Sequence, residues 1–211
     1  MKKQMIIAMA AVAAMASGSV MAFEGGDWTF KAGVTNVDPK QGNSGVDGLE
    51  IDVSEDSAIS LTGAYFFTPG LALELLASTP FEHAYVVSNA DGVLGTGSTQ
   101  HLPPTLSLQY HFNSGGTIIP YVGVGVNYTV FFSQKNSAQL TESLGGATAK
   151  LDDSAGYALQ AGLDYMFTDQ LFMNVDLRYI DIEPDLKVDG TKVGTVKINP
   201  TTVGLNVGYR F

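Results

Sequence analysis

The sequence predicts an all-β fold: an eight-stranded antiparallel up-and-down transmembrane β-barrel with short periplasmic turns and long extracellular loops. Apolar and polar residues alternate in eight segments of about ten residues, and the connections between them alternate between short and long. No segment after the N-terminus approaches the roughly 20 consecutive apolar residues of a membrane helix. Only helices and closed sheets satisfy the backbone in hydrocarbon, so such a chain would cross a membrane as a barrel.

The N-terminus has the pattern of a secretory signal peptide. Two lysines precede an apolar run from Met5 to Ala16, and small residues lead to Ala22. The run is about a dozen residues long, too short to span a bilayer. We therefore expect residues 1–22 to be the signal and residues 23–211 to be the barrel. A buried helix of the folded protein is the less favoured alternative.

Composition narrows the class of protein. The 211 residues suffice for one domain, and the absence of cysteine excludes disulfides and thiolate metal sites. The net charge of −10 argues against nucleic acid as a partner. We expect no cofactor.

The first four predicted strands each place apolar residues on one face. They run from Trp28 to Val37 (Trp28, Phe30, Ala32 and Val34 apolar), from Ala58 to Phe67 (Ile59, Leu61, Tyr65 and Phe67), from Leu71 to Thr79 (Leu71, Leu73 and Leu75), and after Pro103-Pro104 (Leu106, Leu108, Tyr110 and Phe112).

The last four predicted strands repeat this alternation. They run from Tyr121 to Phe132 (Val122, Val124, Val126, Tyr128 and Val130 apolar), from Tyr157 to Phe167 (Tyr157, Leu159, Ala161, Leu163 and Tyr165), from Leu171 to Ile182 (Leu171, Met173, Val175, Leu177 and Tyr179), and from Thr201 to Phe211 (Val203, Leu205, Val207, Tyr209 and Phe211).

The connections separate the two ends of the barrel. Tight turns are predicted at residues 68–70, 113–119 and 168–170, and long polar loops at 39–56, 80–101 and 133–153, with a shorter outer loop at 184–190. A helical period at 137–148 is interpreted as part of a loop. Because the strand count is even, both termini are expected at the periplasmic end.

Alternation alone leaves open which face meets lipid, because a secreted lipocalin-like barrel turns its apolar face inward. Glycines on the polar face, which give a narrow barrel internal space, favour lipid outside. So do the balanced charges on that face, because buried charges need partners. Aromatic residues of the apolar face gather at strand ends, as in interfacial girdles. The predicted membrane anchors are Trp28, Tyr65, Phe67, Tyr110, Phe112, Tyr165, Phe167, Tyr209 and Phe211.

The inward residues predict two layers in the lumen. A charged, hydrogen-bonded plug is expected from Lys31, Glu74, Asp164, Asp176, Arg178 and Arg210. An apolar funnel nearer the outer end is expected from Val37, Leu76, Phe131, Ile180 and Ile182. An apolar molecule in the funnel would meet a costly polar barrier below, so it would have to leave sideways.

Four blocks of the chain resemble the signature sequences of the outer membrane protein W family. They are ELLASTPFEH at 74–83, HLPPTL at 101–106, PYVGVGVNYTVFF at 120–132 and GYRF at 208–211. The resemblance covers essentially all of residues 23–211. It implies an eight-stranded outer-membrane barrel whose narrow apolar lumen admits small hydrophobic molecules, with lateral exit through the wall. It also implies a receptor role for phages or bacteriocins in some members.

Three prolines mark a weak place in the predicted wall. Pro80 ends the third strand, and Pro103 and Pro104 begin the fourth. Proline donates no ladder hydrogen bond, so with the family resemblance we consider a lateral gate here as favoured as a plain loop junction.

Other candidate sites and partners are weaker. His83 and His101 flank one long loop and could come together at a metal, although solvated loop histidines are commoner, so no metal is expected. The acidic residues Asp47, Glu50, Asp52, Glu55 and Asp56 are more simply a solvated loop than a cation bridge to lipopolysaccharide.

Two functions from different classes remain. One is a passive path for small hydrophobic solutes, and the other is a plugged structural or recognition barrel. An enzyme is disfavoured, because the three histidines have no serine and aspartate at a recognisable spacing. Expected partners are outer-membrane lipid, lipopolysaccharide, such solutes and the barrel-assembly machinery through Phe211.

Overall fold

The computed structural model describes residues 23–40, 44–45, 48–112 and 116–211. The predicted signal peptide lies outside these ranges, as does part of the turn predicted at 113–119. The elements are β1 (Trp28–Asp38), β2 (Ser44–Gly45), β3 (Glu50–Val53), β4 (Asp56–Thr68), β5 (Leu71–Ser78), β6 (Phe81–Asn89), β7 (Gly92–Leu102), β8 (Thr105–His111), β9 (Ile118–Asn136), α1 (Ala138–Ser143), β10 (Ala149–Leu151), β11 (Ser154–Met166), β12 (Leu171–Ile180), β13 (Asp185–Val188), β14 (Thr191–Val196) and β15 (Thr201–Arg210).

Eight of these strands close into an antiparallel barrel. Their order is β9-β11-β12-β15-β1-β4-β5-β8, and pairing between β8 and β9 completes the ring. The first and last barrel strands pair along ten residues, from Thr29 opposite Arg210 to Asp38 opposite Thr201. The predicted fold class is confirmed, and the eight predicted strands coincide with the barrel strands apart from shifts at their ends.

The apolar faces of the barrel strands point outward, as the aromatic, glycine and charge patterns predicted. Large side chains such as Val126 and Leu205 are exposed, while their neighbours Asn127 and Asn206 are buried in the lumen. A protein surface of this kind suits acyl chains and not water. Nine aromatic residues form a belt at the end where both termini lie: Trp28, Tyr65, Phe67, Tyr110, Phe112, Tyr165, Phe167, Tyr209 and Phe211.

The long connections between barrel strands are more ordered than the sequence suggested, because they contain strands and a helix of their own. Residues 80–101 form most of the hairpin β6–β7, which pairs with the outer part of β9. The strand β9 therefore continues to Asn136 and rises well above the barrel. Within 39–56, the strand β3 pairs with β6. The strands gain partners from each other above the membrane, a contact that no local pattern reveals.

The helical period at 137–148 is real in its first half, so assigning it to a loop is wrong. The helix α1 begins after Ser137, whose hydroxyl accepts a hydrogen bond from Leu140 N, as an N-cap does. Leu140 is buried against the outer core. The predicted loop at 184–190 is part of the hairpin β13–β14, in a small sheet of order β10-β13-β14-β2. In the part of the chain described, no helix is long and apolar enough to cross a membrane.

Candidate functional site

An apolar cavity lies above the barrel, inside the extension made by the outer strands and α1. Its volume is about 360 Å³ and its lining is almost entirely apolar. The side chains of Lys150 and Val193 are exposed, which places an opening toward the outside beside them. The lining residues are Leu49, Ile51, Val53, His83, Tyr85, Val87, Thr99, His101, Phe131, Gln134, Leu140, Leu144, Ala149, Lys150, Leu151, Leu186, Val188, Val193, Val196 and Ile198.

The five residues expected to form one funnel are divided between two cavities. Phe131 lines the large outer cavity. Val37, Leu76, Ile180 and Ile182 line a second pocket of about 20 Å³ inside the top of the barrel. The sequence placed these residues on the correct face, but it did not show that a layer of rings separates them.

That separating layer consists of aromatic and imidazole rings. The rings of His83 and His101 are nearly parallel, with 4.9 Å between their centroids. The ring of Phe81 stacks on that of His101 with 5.5 Å between centroids. The ring centroid of Phe131 lies 5.6 Å from that of His101, with the two rings tilted relative to each other. His101 lines both the outer cavity and the pocket below it. A molecule moving between the two cavities must therefore pass these rings.

Burial in this layer favours neutral imidazoles. Desolvation lowers the pKa of His101 to about 3, reinforced by the neighbouring His83, while Asp56 acts in the opposite direction. The pKa of His83 is also lowered by desolvation, against its hydrogen bond to the Ser54 carbonyl and the charge of Asp56. The His83 Nδ1–H donates to that carbonyl over 2.5 Å.

Acidification is expected to loosen the hairpin β6–β7. Between the folded pKa of His101, about 3, and the ordinary value of 6.5, the unfolded chain binds more protons. The folded hairpin is therefore most stable at pH values above the ordinary histidine pKa, and its stability decreases as the pH falls toward the pKa of His101 in the folded protein. A decrease from about pH 7 to about pH 5 should remove roughly 2 kcal/mol. Amide hydrogen exchange of β6 and β7 measures this, and an equal pH effect in His101→Phe would contradict it.

Below the rings, Glu74 is the centre of an ionic layer. Its carboxylate lies 2.6 Å from Lys31 Nζ and 3.0 Å from Arg178 Nη2, and all three side chains are buried. Arg178 also lies 3.3 Å from Asp176. Opposite charges at these distances compensate one another's loss of hydration. The structure thus brings four of the predicted plug residues together.

Polar side chains connect the ionic layer around the lumen. Gln160 donates to Asp176 over 2.6 Å, and the Tyr121 hydroxyl donates to the same carboxylate over 2.8 Å. Asn174 donates to Tyr121 and to Asp164, the fifth plug residue. We did not single out Gln160, Tyr121 or Asn174 from the sequence. The alternation of each strand already indicated them, because all three occupy positions whose side chains face the lumen.

An aromatic layer closes the periplasmic end, below the ions. Phe23 stacks on Phe66 with 4.4 Å between centroids and meets Phe172 edge-on at 5.6 Å. The predicted charged plug therefore does not itself close this end of the lumen, because the ions lie above a seal of phenyl rings. Arg210 lies at this end, where its guanidinium is 3.5 Å from Asp27.

Glycines provide the space that these large inward side chains need. A Cβ at position 162 would lie 2.3 Å from the ring and hydroxyl of Tyr121, and one at position 208 would lie 2.2 Å from the ring of Phe172. Gly162 and Gly208 thus allow an aromatic residue on the adjacent strand to turn into the lumen. This is the reason for the glycines on the polar face.

The wall has an incomplete seam between β5 and β8. Their ladder ends with Leu76 opposite Thr105. Above it, the described residues of β5 and residues 103–104 form no ladder pairs with each other. The Pro104 carbonyl instead accepts from Tyr128 N on β9 over 3.1 Å. The small pocket lies just inside, with Pro103 in its lining. Pro80 is exposed at the upper edge of this gap.

The acidic segment offers no comparable site. Asp47 lies outside the described residues, and Glu50, Asp52 and Glu55 are exposed. Asp56 accepts a hydrogen bond from Glu82 N over 2.8 Å. The two outer histidines do come together, but among residues that the structure describes there is no group of three or more metal-binding side chains.

Comparisons with known proteins agree with this architecture. A model of the OmpW family matches residues 24–211. Outer membrane protein W of Vibrio cholerae serotype O1 is 37% identical over 219 residues, covering 99% of this chain and 100% of that protein. The crystal structure of the outer membrane protein OprG from Pseudomonas aeruginosa is 30% identical, with a TM-score of 0.76 and coverage of 90% of this chain and 98% of its own. The NMR structure of outer membrane protein W from E. coli is 32% identical, with a TM-score of 0.62 and coverage of 89% and 99%.

Proposed function

Because the chain belongs to the OmpW family of outer-membrane β-barrels, we propose that it gives small hydrophobic molecules a passive path into the outer membrane. The protein resides in the Gram-negative outer membrane, and the family's members are not enzymes. The observation that carries the proposal is the apolar cavity of about 360 Å³ that opens outward above a closed lumen. Ligand cavities of small molecules are of this size and polarity.

The closed lumen favours an exit through the wall. A solute that passed the rings would reach buried ions centred on Glu74 and then the phenyl seal around Phe66. Removing ionic partners from one another in a low dielectric is costly, so an apolar molecule does not displace them. The seam above the Leu76–Thr105 pair is the nearest place where no ladder hydrogen bonds need to break.

A recognition barrel is the second candidate function, and the two closed layers in the lumen favour it. In this alternative the outer extension binds a partner, such as a phage or bacteriocin, and nothing crosses the wall. Uptake of an apolar solute into vesicles with an outer leaflet of lipopolysaccharide separates the two. Uptake no faster than in vesicles without protein supports recognition.

Contacts with the envelope are part of the proposal. The outward apolar face contacts lipid, and the exposed extension would contact lipopolysaccharide. Phe211 is 70% exposed at the C-terminus, where its ring meets Phe30 and Tyr209, so it is accessible to the barrel-assembly machinery. Export would follow cleavage of the signal after Ala22, leaving Phe23 at the start of the mature chain.

Replacing either seam proline is expected to slow uptake, because each occupies a position beside the gap where a backbone N–H could donate. The new N–H of Pro103→Ala can donate toward β5 and extend that ladder, and the new N–H of Pro104→Ala can donate toward β9, to which the Pro104 carbonyl already points, and hold the edge of the gap in place. The rate of apolar solute uptake into lipopolysaccharide-coated proteoliposomes should decrease, while the barrel still folds. Pro69→Ala, in a periplasmic turn, is the matched control. Unchanged flux in both seam variants would defeat the lateral gate.

A further inference from the structure

We propose that His83 and His101 form a recognition site for an uncharged hydroxyl group, so that the solutes selected are hydrophobic alcohols or phenols. This inference rests on the proposed function, because it names the class of solute that the outer cavity takes. The two imidazoles lie side by side in a lining that is mostly aliphatic and aromatic, with Thr99, Gln134 and Lys150 as its other polar side chains besides the Tyr85 hydroxyl.

Both rings carry a nitrogen without a partner. Among the described residues, no hydrogen bond reaches His83 Nε2 or His101 Nδ1, although both atoms are buried. A buried polar atom left unsatisfied costs free energy that a ligand with a matching group can recover. Two such atoms on adjacent stacked rings, 4.9 Å apart at their centroids, indicate a polar group that both can bind.

The tautomer of His83 specifies what this group must donate. Because Nδ1–H donates to the Ser54 carbonyl, the neutral ring has its lone pair at Nε2, which accepts a hydrogen bond. A hydroxyl group donates one hydrogen to that lone pair, and its own lone pairs can accept from neutral His101 in the tautomer that carries its hydrogen on Nδ1. An alkane can do neither, so it leaves both nitrogens unsatisfied.

The charges around the pair exclude an anionic ligand. The pKa values of both imidazoles are lowered by burial, so neither ring supplies a positive charge near neutral pH. Asp56 is the carboxylate whose charge acts on both rings, and it repels an anion. A carboxylate placed against these rings would thus lose its hydration without gaining an opposite charge from them, because Lys150, the cation of the lining, has its side chain exposed at the opening.

The histidine pair lies where the solute must pass, so binding of a hydroxyl group there would also affect passage between the two cavities. His101 lines both the outer cavity and the pocket behind the seam, and Phe81 stacks on it. A turn of the His101 ring would open the passage between the cavities and present its nitrogen to the solute in one movement. Hydrogen bonding to a hydroxyl would therefore compensate for the broken ring stack.

Three probes of one shape test the inference: naphthalene, 2-naphthol and 2-naphthoate. Their binding to the full-length mature protein in lipid nanodiscs at pH 7 is followed by fluorescence and corrected with empty nanodiscs. We expect 2-naphthol to bind about tenfold more tightly than naphthalene, the ratio that about 1.4 kcal/mol gives, and 2-naphthoate not to bind. His83→Phe and His101→Phe keep a ring and should reduce 2-naphthol to the affinity of naphthalene. Tyr128→Phe removes a hydroxyl on the outward face of β9, outside the cavity, so this control variant should bind both probes like the wild type.

The outcomes separate this inference from the proposed function. Equal binding of naphthalene and 2-naphthol would overturn the hydroxyl site and leave the apolar path intact. Binding of neither probe beyond empty nanodiscs would overturn both. If the His83 variant does not fold, imidazole ¹⁵N shifts of the wild-type protein decide. A 2-naphthol-specific shift of both ring systems supports the site, and identical spectra with the two probes overturn it.

Discussion

A disulfide between positions 76 and 105 is expected to abolish uptake of apolar solutes. Leu76 and Thr105 are the uppermost directly opposed residues of the β5–β8 ladder, and opposed residues of antiparallel strands are within reach of a disulfide. The chain contains no cysteine, so the double variant Leu76→Cys/Thr105→Cys forms this bond alone. This bond holds β5 and β8 at a fixed separation at the lower edge of the gap, so the gap above it cannot widen and uptake should fall to that of vesicles without protein.

The control is a disulfide at another seam of similar height. Leu177 and Val203 are opposed on β12 and β15, and both face outward, away from the pocket behind the seam. The variant Leu177→Cys/Val203→Cys should transport at the wild-type rate. Reductant should restore uptake in the first variant and leave the second unchanged. Full uptake by the oxidised first variant would place the exit elsewhere in the molecule.

Glu74→Ala is expected to cause the largest loss of stability. The carboxylate is fully buried and contacts both Lys31 and Arg178. Its removal leaves two buried cations short of negative charge, which costs about 3–5 kcal/mol. Urea unfolding in lipid vesicles measures the loss through the fluorescence of Trp28, the single tryptophan.

Two further variants test the reason for the loss. Glu55→Ala removes an exposed carboxylate, and exposed charges contribute little, so its unfolding midpoint should match the wild type. Glu74→Gln keeps the shape of the side chain and removes its charge. If charge compensation is the cause, this variant should lose most of the same stability. A Gln variant as stable as the wild type would assign the role of Glu74 to packing and neutral hydrogen bonds.

The sequence revealed the outer extension poorly, although it predicted the barrel well. Barrel strands alternate over ten residues because lipid lies on one side and the lumen on the other. The hairpin β6–β7 lacks that regular contrast, because part of its surface covers a cavity and part meets water. Tyr85 and Val87 line the cavity, while Val86 between them is exposed. The outward face of β6 therefore mixes polar and apolar residues, such as Glu82 and Val86, and gives no regular alternation.

The sequence predicted which charged residues lie in the ionic layer, but not which of them pair with one another. Inward parity identified Lys31, Glu74 and Arg178 correctly as lumen residues. It gave no means of knowing that Glu74 would bond Arg178, which is 104 residues away. The alternation also did not reveal the phenyl seal. Phe66 and Phe172 occupy lumen-facing positions, where the pattern leads one to expect polar or small residues.

The sequence by itself determined the strands, their inward and outward faces, the orientation of the two ends and the membrane as solvent. These properties follow from the two-residue period of a strand and from turn length, both of which are local. Only the tertiary structure decided where the ions pair, where rings divide one funnel into two cavities and where the ladder stops at Leu76. Those features depend on how closed strands are staggered, which sets the neighbours of each side chain across the lumen.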